Sequence, residues 1–413
     1  MSIRAAVSQM GIDASKLYSD LAANMKPSMI RELLKYTARP EVISFAGGLP
    51  NPETFPLKEI KEITCDVLDK WGTGALQYGT TEGLPQFRDF LKDMYRKEGE
   101  FTDEDELVLT GGSQQALDLF GKVLLNKGDS VVAEAPSYLG GLNAFEVYGT
   151  KIVHVDMDDD GIKVDEFDRT MKRMAKARKM PKFVYMIPTF QNPAGTCMPE
   201  KHRTEFLDIC NQYPDLLVME DDPYGKLRFE GEDQPSLKKL DKDGRVLTLK
   251  TMSKILSPGM RIGIVFGPRE LVQKMVISKQ SADLCSAGLT QYIAWQYMAR
   301  GHVPAQLTKI QTLYRRKRDL MVKALKDEMP EGVKWTYPHG GMFLWVTVDG
   351  IDTTELFMES IKKNVAFVVG KAFYGDGRGK ESMRLNFSYS KDADIAEGIG
   401  RLAGSIKEMR KSK

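Results

Sequence analysis

Chemistry is concentrated in one stretch, Thr251-Met252-Ser253-Lys254-Ile255-Leu256-Ser257-Pro258-Gly259-Met260-Arg261. A lysine stands among hydroxyl residues, a Ser-Pro-Gly turn follows, and an arginine closes the run. The turn folds the chain back, so Lys254 and Arg261 can converge on one pocket. Arginine offers a planar fork to phosphate oxygens, and a desolvated lysine can form a Schiff base with a carbonyl. The pair suits a ligand that carries both groups. The same residues would equally make a solvated surface loop, and the stretch alone does not choose.

What positions it is a repeating pattern. Strand-like runs at 130–134, 151–155, 182–187, 216–220, 245–250 and 261–266 are mostly separated by helical patterns at about 140–148, 163–176, 199–212 and 268–299. Apolar strands alternating with helices predict an α/β layer with a mostly parallel sheet. In such sheets ligands gather at the carboxyl ends of strands. Four polar clusters fall there: Ala135-Pro136-Ser137-Tyr138, Pro188 to Gly195 with Asn192 between turn formers, Asp221-Asp222-Pro223-Tyr224, and the Lys254 stretch. A fifth feature, Gly111-Gly112-Ser113-Gln114-Gln115, follows a brief strand 107–110 and opens a helix over 116–125. Its outward backbone N–H groups suit a phosphate. Any one of these is a polar loop capping a strand; their order along the chain is what points to a shared site.

Ahead of this region the pattern predicts a helix over Pro27–Tyr36 capped by Ser28, and an extended segment Ile43–Pro50 bending at Gly47-Gly48. A helix over Leu57–Asp69 and a polar loop with Tyr78 follow. Past residue 300 come a long charged helix (304–328), strand-like runs at 332–337 and 341–348, a helix near 353–364, a Val/Phe-rich run 365–369, a strand at 383–388 and a closing helix from 391. The expected organisation is a large α/β domain over 43–300, with 1–42 and 301–413 forming a smaller α+β domain.

With 413 residues, 42% apolar and 28% charged, the composition is that of a soluble globular chain. A net charge of +2 gives no field to gather nucleic acid. The basic run Arg315-Arg316-Lys317-Arg318 reads as a solvated helix face beside a Leu313, Leu320, Met321 stripe. Four scattered cysteines form no pair and favour a reducing, cytoplasmic compartment. Four dispersed histidines give no metal site. No run of eighteen apolar residues suggests a membrane span, and Met1 to Gly11 lacks a signal-peptide core.

Taken in order, Asn192-Pro193-Ala194-Gly195, Asp221-Asp222-Pro223-Tyr224 and Ser253-Lys254 through Ser257-Pro258-Gly259-Met260-Arg261 resemble pyridoxal-phosphate enzymes of the aspartate-aminotransferase fold, fold type I. The likeness runs from about Ile43 to the C-terminus. Phe45-Ala46-Gly47-Gly48-Leu49-Pro50 and Gly112-Ser113-Gln114-Gln115-Ala116-Leu117-Asp118 are similar, more narrowly, to the class I/II subgroup of 2-aminoadipate, kynurenine and aromatic aminotransferases.

The resemblance implies roles. Lys254 would hold pyridoxal 5'-phosphate as a Schiff base and then move the substrate α-proton. Asp221, chosen over Asp222 by its Asp-x-x-Tyr spacing to Tyr224, would pair with the ring nitrogen. Tyr224 and Asn192 would bond the ring oxygen, and Tyr138 would stack on the ring. Ser113, Gln114, Thr251, Ser253 and Arg261 would hold the phosphate, completed by Tyr78 of a partner subunit in a homodimer. Arg384 would clamp the substrate carboxylate, with Gly48 and Asn192 beside it. The stretch 282–289 lacks the second arginine of aspartate-dedicated enzymes, so narrow aspartate specificity is not expected. Arg31 is a candidate for acidic side chains, or one more cation on an exposed helix.

The expected activity is ping-pong transfer of an amino group from an aromatic or 2-aminoadipate-like amino acid to a 2-oxo acid such as 2-oxoglutarate. A β-lyase on the same fold shares these motifs. A ligand-sensing regulator with an aminotransferase-like domain would need a DNA-binding domain, for which some forty residues before Ile43 are too few.

Overall fold

The computed structural model describes residues 13–25 and 39–411. The expected helix 27–36, with Arg31, lies outside the described residues. The N-terminal elements are β1 (Ile43–Ser44), α1 (Leu57–Leu76) and α2 (Pro85–Glu98). The central part holds β2 (Asp105–Thr110), α3 (Ser113–Leu124), β3 (Ser130–Ala135), α4 (Leu139–Glu146), β4 (Lys151–Asp158), β5 (Gly161–Ile162), α5 (Val164–Lys176), β6 (Phe183–Met186), α6 (Glu200–Cys210) and β7 (Leu217–Asp222). It continues with β8 (Val246–Thr251), β9 (Gly263–Pro268), α7 (Arg269–Gln280) and α8 (Gly288–Ala299). The last part holds α9 (Val303–Glu328), β10 (Val333–Trp335), β11 (Phe343–Val348), α10 (Thr353–Lys362), β12 (Val365–Ala366), β13 (Val368–Val369), β14 (Ser382–Asn386) and α11 (Asp392–Lys411).

The main sheet runs β2-β9-β8-β7-β6-β3-β4-β5. Strands β4, β3, β6, β7 and β8 are parallel to their neighbours in that block. Strand β9 is antiparallel to both β8 and β2, and β5 is antiparallel to β4. The reversal at β8–β9 has a direct cause. Only residues 252–262 join them, too few for the helical crossover that a parallel pair needs. The Lys254 stretch is that short connection.

Helices cover both faces of the sheet, which is why its strands read as continuous apolar runs. In β6, Phe183 and Tyr185 pack into one core with α3 and α4, while Val184 and Met186 pack into another with α5 and α6. A second, antiparallel sheet runs β10-β11-β14-β13. Strand β1 pairs in parallel with β12, so Ile43 and Ser44 are joined by hydrogen bonds to the C-terminal part of the chain. Phe45 N–H donates to Ala366 O and its carbonyl accepts from Asn386 N–H, both at 2.8 Å. These bonds bring the Gly47-Gly48 bend beside the end of β14.

Two expectations are corrected, and one helix is added. The helical pattern 268–299 is two helices, α7 and α8, broken over 281–287, where Leu284 adopts a left-handed φ of 60°. Helix α2 was not signalled: it opens on Pro85 with no capping side chain, although Phe87, Leu91 and Tyr95 bury one face at four-residue spacing. The basic run on α9 is not one solvated face, because consecutive helical residues point in different directions. Arg315 and Arg316 are exposed, but Lys317 and Arg318 are buried. Arg318 pairs with Glu230 at 2.6 Å and stacks over the Tyr337 ring at 4.3 Å.

Candidate active site

The site is assembled at the carboxyl ends of the parallel strands. Alternation along β7 sends Asp221 and Asp222 to opposite faces. Asp221 is 2% exposed, and the Tyr185 hydroxyl donates to its Oδ2 at 2.8 Å. Its other oxygen, Oδ1, is buried with no partner. Burial pushes this carboxyl up to about 7, against the pull of the Tyr185 hydrogen bond and with a small addition from Asp222. Asp222 instead accepts from Gly225 N–H at 2.7 Å and lies 3.5 Å from the Lys250 ammonium, which also meets Glu100 at 2.7 Å.

The connection after β8 is fixed by its hydroxyls. The Thr251 hydroxyl donates to Ile262 O at 2.9 Å, accepts from Ser253 N–H at 3.1 Å, and lies 3.0 Å from the Ser253 hydroxyl. Lys254 Nζ donates to the Gly48 carbonyl at 2.9 Å. Burial, then the positive charges of Arg384 and Arg261, lower its ammonium to about 8. Ser257 caps a turn over Pro258–Met260, and Arg261 follows with a left-handed φ of 53°. That conformation, uncommon away from glycine, turns the guanidinium back to donate to Gly111 O at 3.0 Å and Pro258 O at 3.2 Å. Gly112 has a φ of 89°, and a Cβ there would lie 2.3 Å from the Arg261 Nη2, so a larger residue would strain the backbone and push the guanidinium aside.

Gly112 also leads into α3, whose first residue is Ser113 and whose N-terminus has no side-chain cap. Gln114 donates to Gly140 O at 2.9 Å and lies 3.5 Å from the Tyr138 hydroxyl. Tyr138 stands at the start of α4, and its phenol is pushed up by burial.

A hydrogen-bonded chain completes the cluster. Asn192 donates to the Tyr224 hydroxyl at 3.4 Å and accepts from Arg384 Nη1 at 2.9 Å. Arg384 also donates to Ala46 O at 2.8 Å, while its Nε is buried with no partner. Its guanidinium lies over the rings of Phe343 (4.3 Å) and Phe373 (5.1 Å). Burial lowers it to about 10, and burial raises the Tyr224 phenol. Gln191 anchors the loop, donating to Pro136 O at 2.8 Å and Glu134 Oε2 at 3.2 Å.

Lys254, Asp221, Tyr224, Asn192, Arg384, Tyr138, Gly48, Thr251, Ser253, Arg261, Ser113 and Gln114 are thus linked around one site. Tyr78 is not brought in: it is 79% exposed, and among the described residues no hydrogen bond or ring contact joins its side chain to them. Arg31 lies outside the described residues. The sequence reading missed Tyr185, Glu134, Gln191, Phe343 and Phe373. For Tyr185 and Glu134 there was a signal, a polar group inside an otherwise apolar buried strand.

The donor set fits pyridoxal phosphate. Asp221 Oδ1 awaits a donor in a dry setting, Lys254 is an amine of lowered basicity, and the α3 N-terminus with Arg261 suits a phosphate. The family model for aminotransferases of class I and II matches residues 42–402, and the chain belongs to that family. It is a pyridoxal-phosphate-dependent aminotransferase of fold type I. It is 46% identical over 402 residues to aromatic-amino-acid aminotransferase 1 of Thermococcus litoralis, covering 97% of this chain and 96% of that one. It is 38% identical to the 2-aminoadipate transaminase of Thermus thermophilus, over 96% of this chain and 98% of that one. The crystal structure of Pyrococcus horikoshii kynurenine aminotransferase, in complex with PMP, is 46% identical with a TM-score of 0.94, over 97% and 99% of the two chains. Among the described residues no helix is long and apolar enough to cross a membrane.

Proposed function

We propose that this aminotransferase takes the amino group of an aromatic or 2-aminoadipate-like amino acid and passes it to 2-oxoglutarate in two half-reactions. The observation that carries this reading is the Arg384–Asn192–Tyr224 chain beside the Lys254 amine. The substrate class is supported by the named activities of the relatives and by the aromatic walls at Arg384.

Pyridoxal phosphate, when bound, supplies an electron sink for the substrate α-carbon. Arg384 binds the substrate carboxylate, and its unpartnered Nε adds a second donor for bidentate contact. Lys254 Nζ, neutral over much of the range above about pH 8, would anchor the cofactor and, once the substrate amine has displaced it, would be free to take the α-proton and return it. Asp221 Oδ1 would accept from the ring nitrogen. Asn192 and Tyr224 would donate to the ring oxygen, and Tyr138 would stack against the ring. Ser113, Gln114, Thr251, Ser253 and Arg261 would hold the phosphate.

The exposed Tyr78 completes this cup from a second copy, in a homodimer whose interface covers the exposed Leu57, Leu76 and Leu284. Residues 43–300 and 301–413 act as large and small domains, and the free, scattered cysteines favour the reducing cytoplasm. The test is a panel of amino donors against 2-oxoglutarate, reading glutamate and lyase products together. Aromatic and 2-aminoadipate donors should yield glutamate with no lyase product; lyase product alone would contradict the reading.

A further inference from the structure

The carboxylate of Asp221 is gripped by a tyrosine that no motif marks. The geometry points to Tyr185 as the positioning residue that keeps Asp221 ionised and leaves its Oδ1 free for the cofactor's ring nitrogen, an inference that rests on the pyridoxal-phosphate reading of the site.

Tyr185 on β6 stands opposite Met219 of β7. Asp221, two residues on, shares that face of the sheet and is a diagonal neighbour, within reach of a long aromatic side chain. The hydroxyl donates to Oδ2 at 2.8 Å and occupies that oxygen, leaving Oδ1 buried and open. Helix α4 supplies a slot for the ring. A Cβ on Gly141 would lie 2.7 Å from the Tyr185 Cζ and 2.8 Å from its hydroxyl, and Phe145 meets the ring edge-on at 5.3 Å. The preceding Gly140 does the same for Tyr138, whose Cζ would lie 2.4 Å from an added Cβ. One Gly-Gly pair therefore seats both tyrosines, one along the expected ring face and one behind the carboxylate.

The titratable groups whose charge is felt at Asp221 are Tyr185 itself, Glu134 from β3, Tyr138 at the start of α4, Tyr224 beyond β7 and, from the opposite face of its own strand, Asp222. Among the described residues, Tyr185 is the side chain that donates to it. A hydrogen bond to the ionised form favours that form, while burial and the neighbouring acidic groups oppose it. Without the hydroxyl, the carboxyl would keep its proton to higher pH and could not accept from a protonated ring nitrogen.

The test uses apo-protein of wild type, Tyr185→Phe and Asp221→Asn. Affinity for pyridoxamine phosphate, which lacks the aldehyde and so makes no covalent bond to Lys254, is read by protein-fluorescence quenching from pH 5 to 9, with a thermal midpoint at each pH to confirm folding. Wild-type affinity should fall on an acid limb, and that limb should vanish in Asp221→Asn. In Tyr185→Phe the limb should move up by about one pH unit, weakening affinity below it about tenfold and sparing it near pH 9. The kcat profile should shift in the same sense. An unmoved limb in Tyr185→Phe, with the limb lost in Asp221→Asn, would overturn the role of Tyr185 alone. A limb that survives in Asp221→Asn would overturn the assignment of Asp221, and this inference with it.

Discussion

The two sides of β7 at its carboxyl end carry adjacent aspartates with opposite fates. On one side Asp222, Lys250 and Glu100 form a compact ion cluster, with Gly225 N–H adding a further bond to Asp222. On the other, Asp221 has one donor, an empty Oδ1 and a carboxyl raised by burial. The first arrangement is satisfied by the protein itself; the second is satisfied only when something else arrives. Buried polar groups in folded chains are normally paired. Asp221 Oδ1 and Arg384 Nε are among the buried polar atoms without a hydrogen-bond partner, and both belong to the site, whereas Glu100 Oε2 has the Lys250 ammonium at 2.7 Å.

The largest expected effect is at Lys254. Lys254→Ala should lower turnover by more than about 10³-fold, through loss of both the covalent anchor and the acid/base group. The visible absorption of the cofactor-bound protein should lose its lysine-dependent band in the same variant. Arg384→Ala should come next, lowering kcat/KM for the amino donor by about ten- to a hundredfold, as expected for charge-assisted hydrogen bonds. Its affinity for pyridoxal phosphate should stay near that of wild type, which equilibrium titration would check.

The smallest effect concerns pH and the apo-protein. Glu134, Glu220 and Asp221 are raised by burial to about 8, 7 and 7. Between their unfolded values near 4 and these folded values, the native state holds more protons than the unfolded state. Their contribution to stability is therefore complete below about pH 4 and lost as pH rises through 7 to 8. The thermal midpoint of apo-protein should fall between pH 5.5 and 8, and Glu134→Gln should flatten that slope.

Much of this was legible in the residues, and the gaps have physical causes. The strands of the main sheet were readable because both faces are buried, which leaves long apolar runs. The antiparallel entry of β9 was not read, although the shortness of the 252–262 connection required it. Lys254, Asn192, Tyr224 and Arg384 sit in motifs with fixed spacing. Tyr185 and Glu134 sit inside apolar strands, and their partners, Asp221 and Gln191, are 36 and 57 residues away in sequence. Strand register brings the first pair together, and the loop after β6 folds back to make the second. Tyr78 is the reverse case, marked by its loop yet solvent-facing in one chain. The N-terminal strand was also hard to assign, because β1 finds its partner β12 more than three hundred residues later.

One paired measurement goes to the centre of the comparison: the dissociation constant for pyridoxal phosphate of Asp221→Asn and Asp222→Asn at neutral pH. Asp221→Asn should bind at least about tenfold more weakly and turn over far more slowly, since a buried charged hydrogen bond of this kind is worth about 1.5–3 kcal/mol. Asp222→Asn should bind and turn over like wild type, and lose about 1–2 kcal/mol of folding stability, because Lys250 keeps Glu100 as a partner. Equal cofactor binding by the two variants, or a larger loss in Asp222→Asn, would contradict the account.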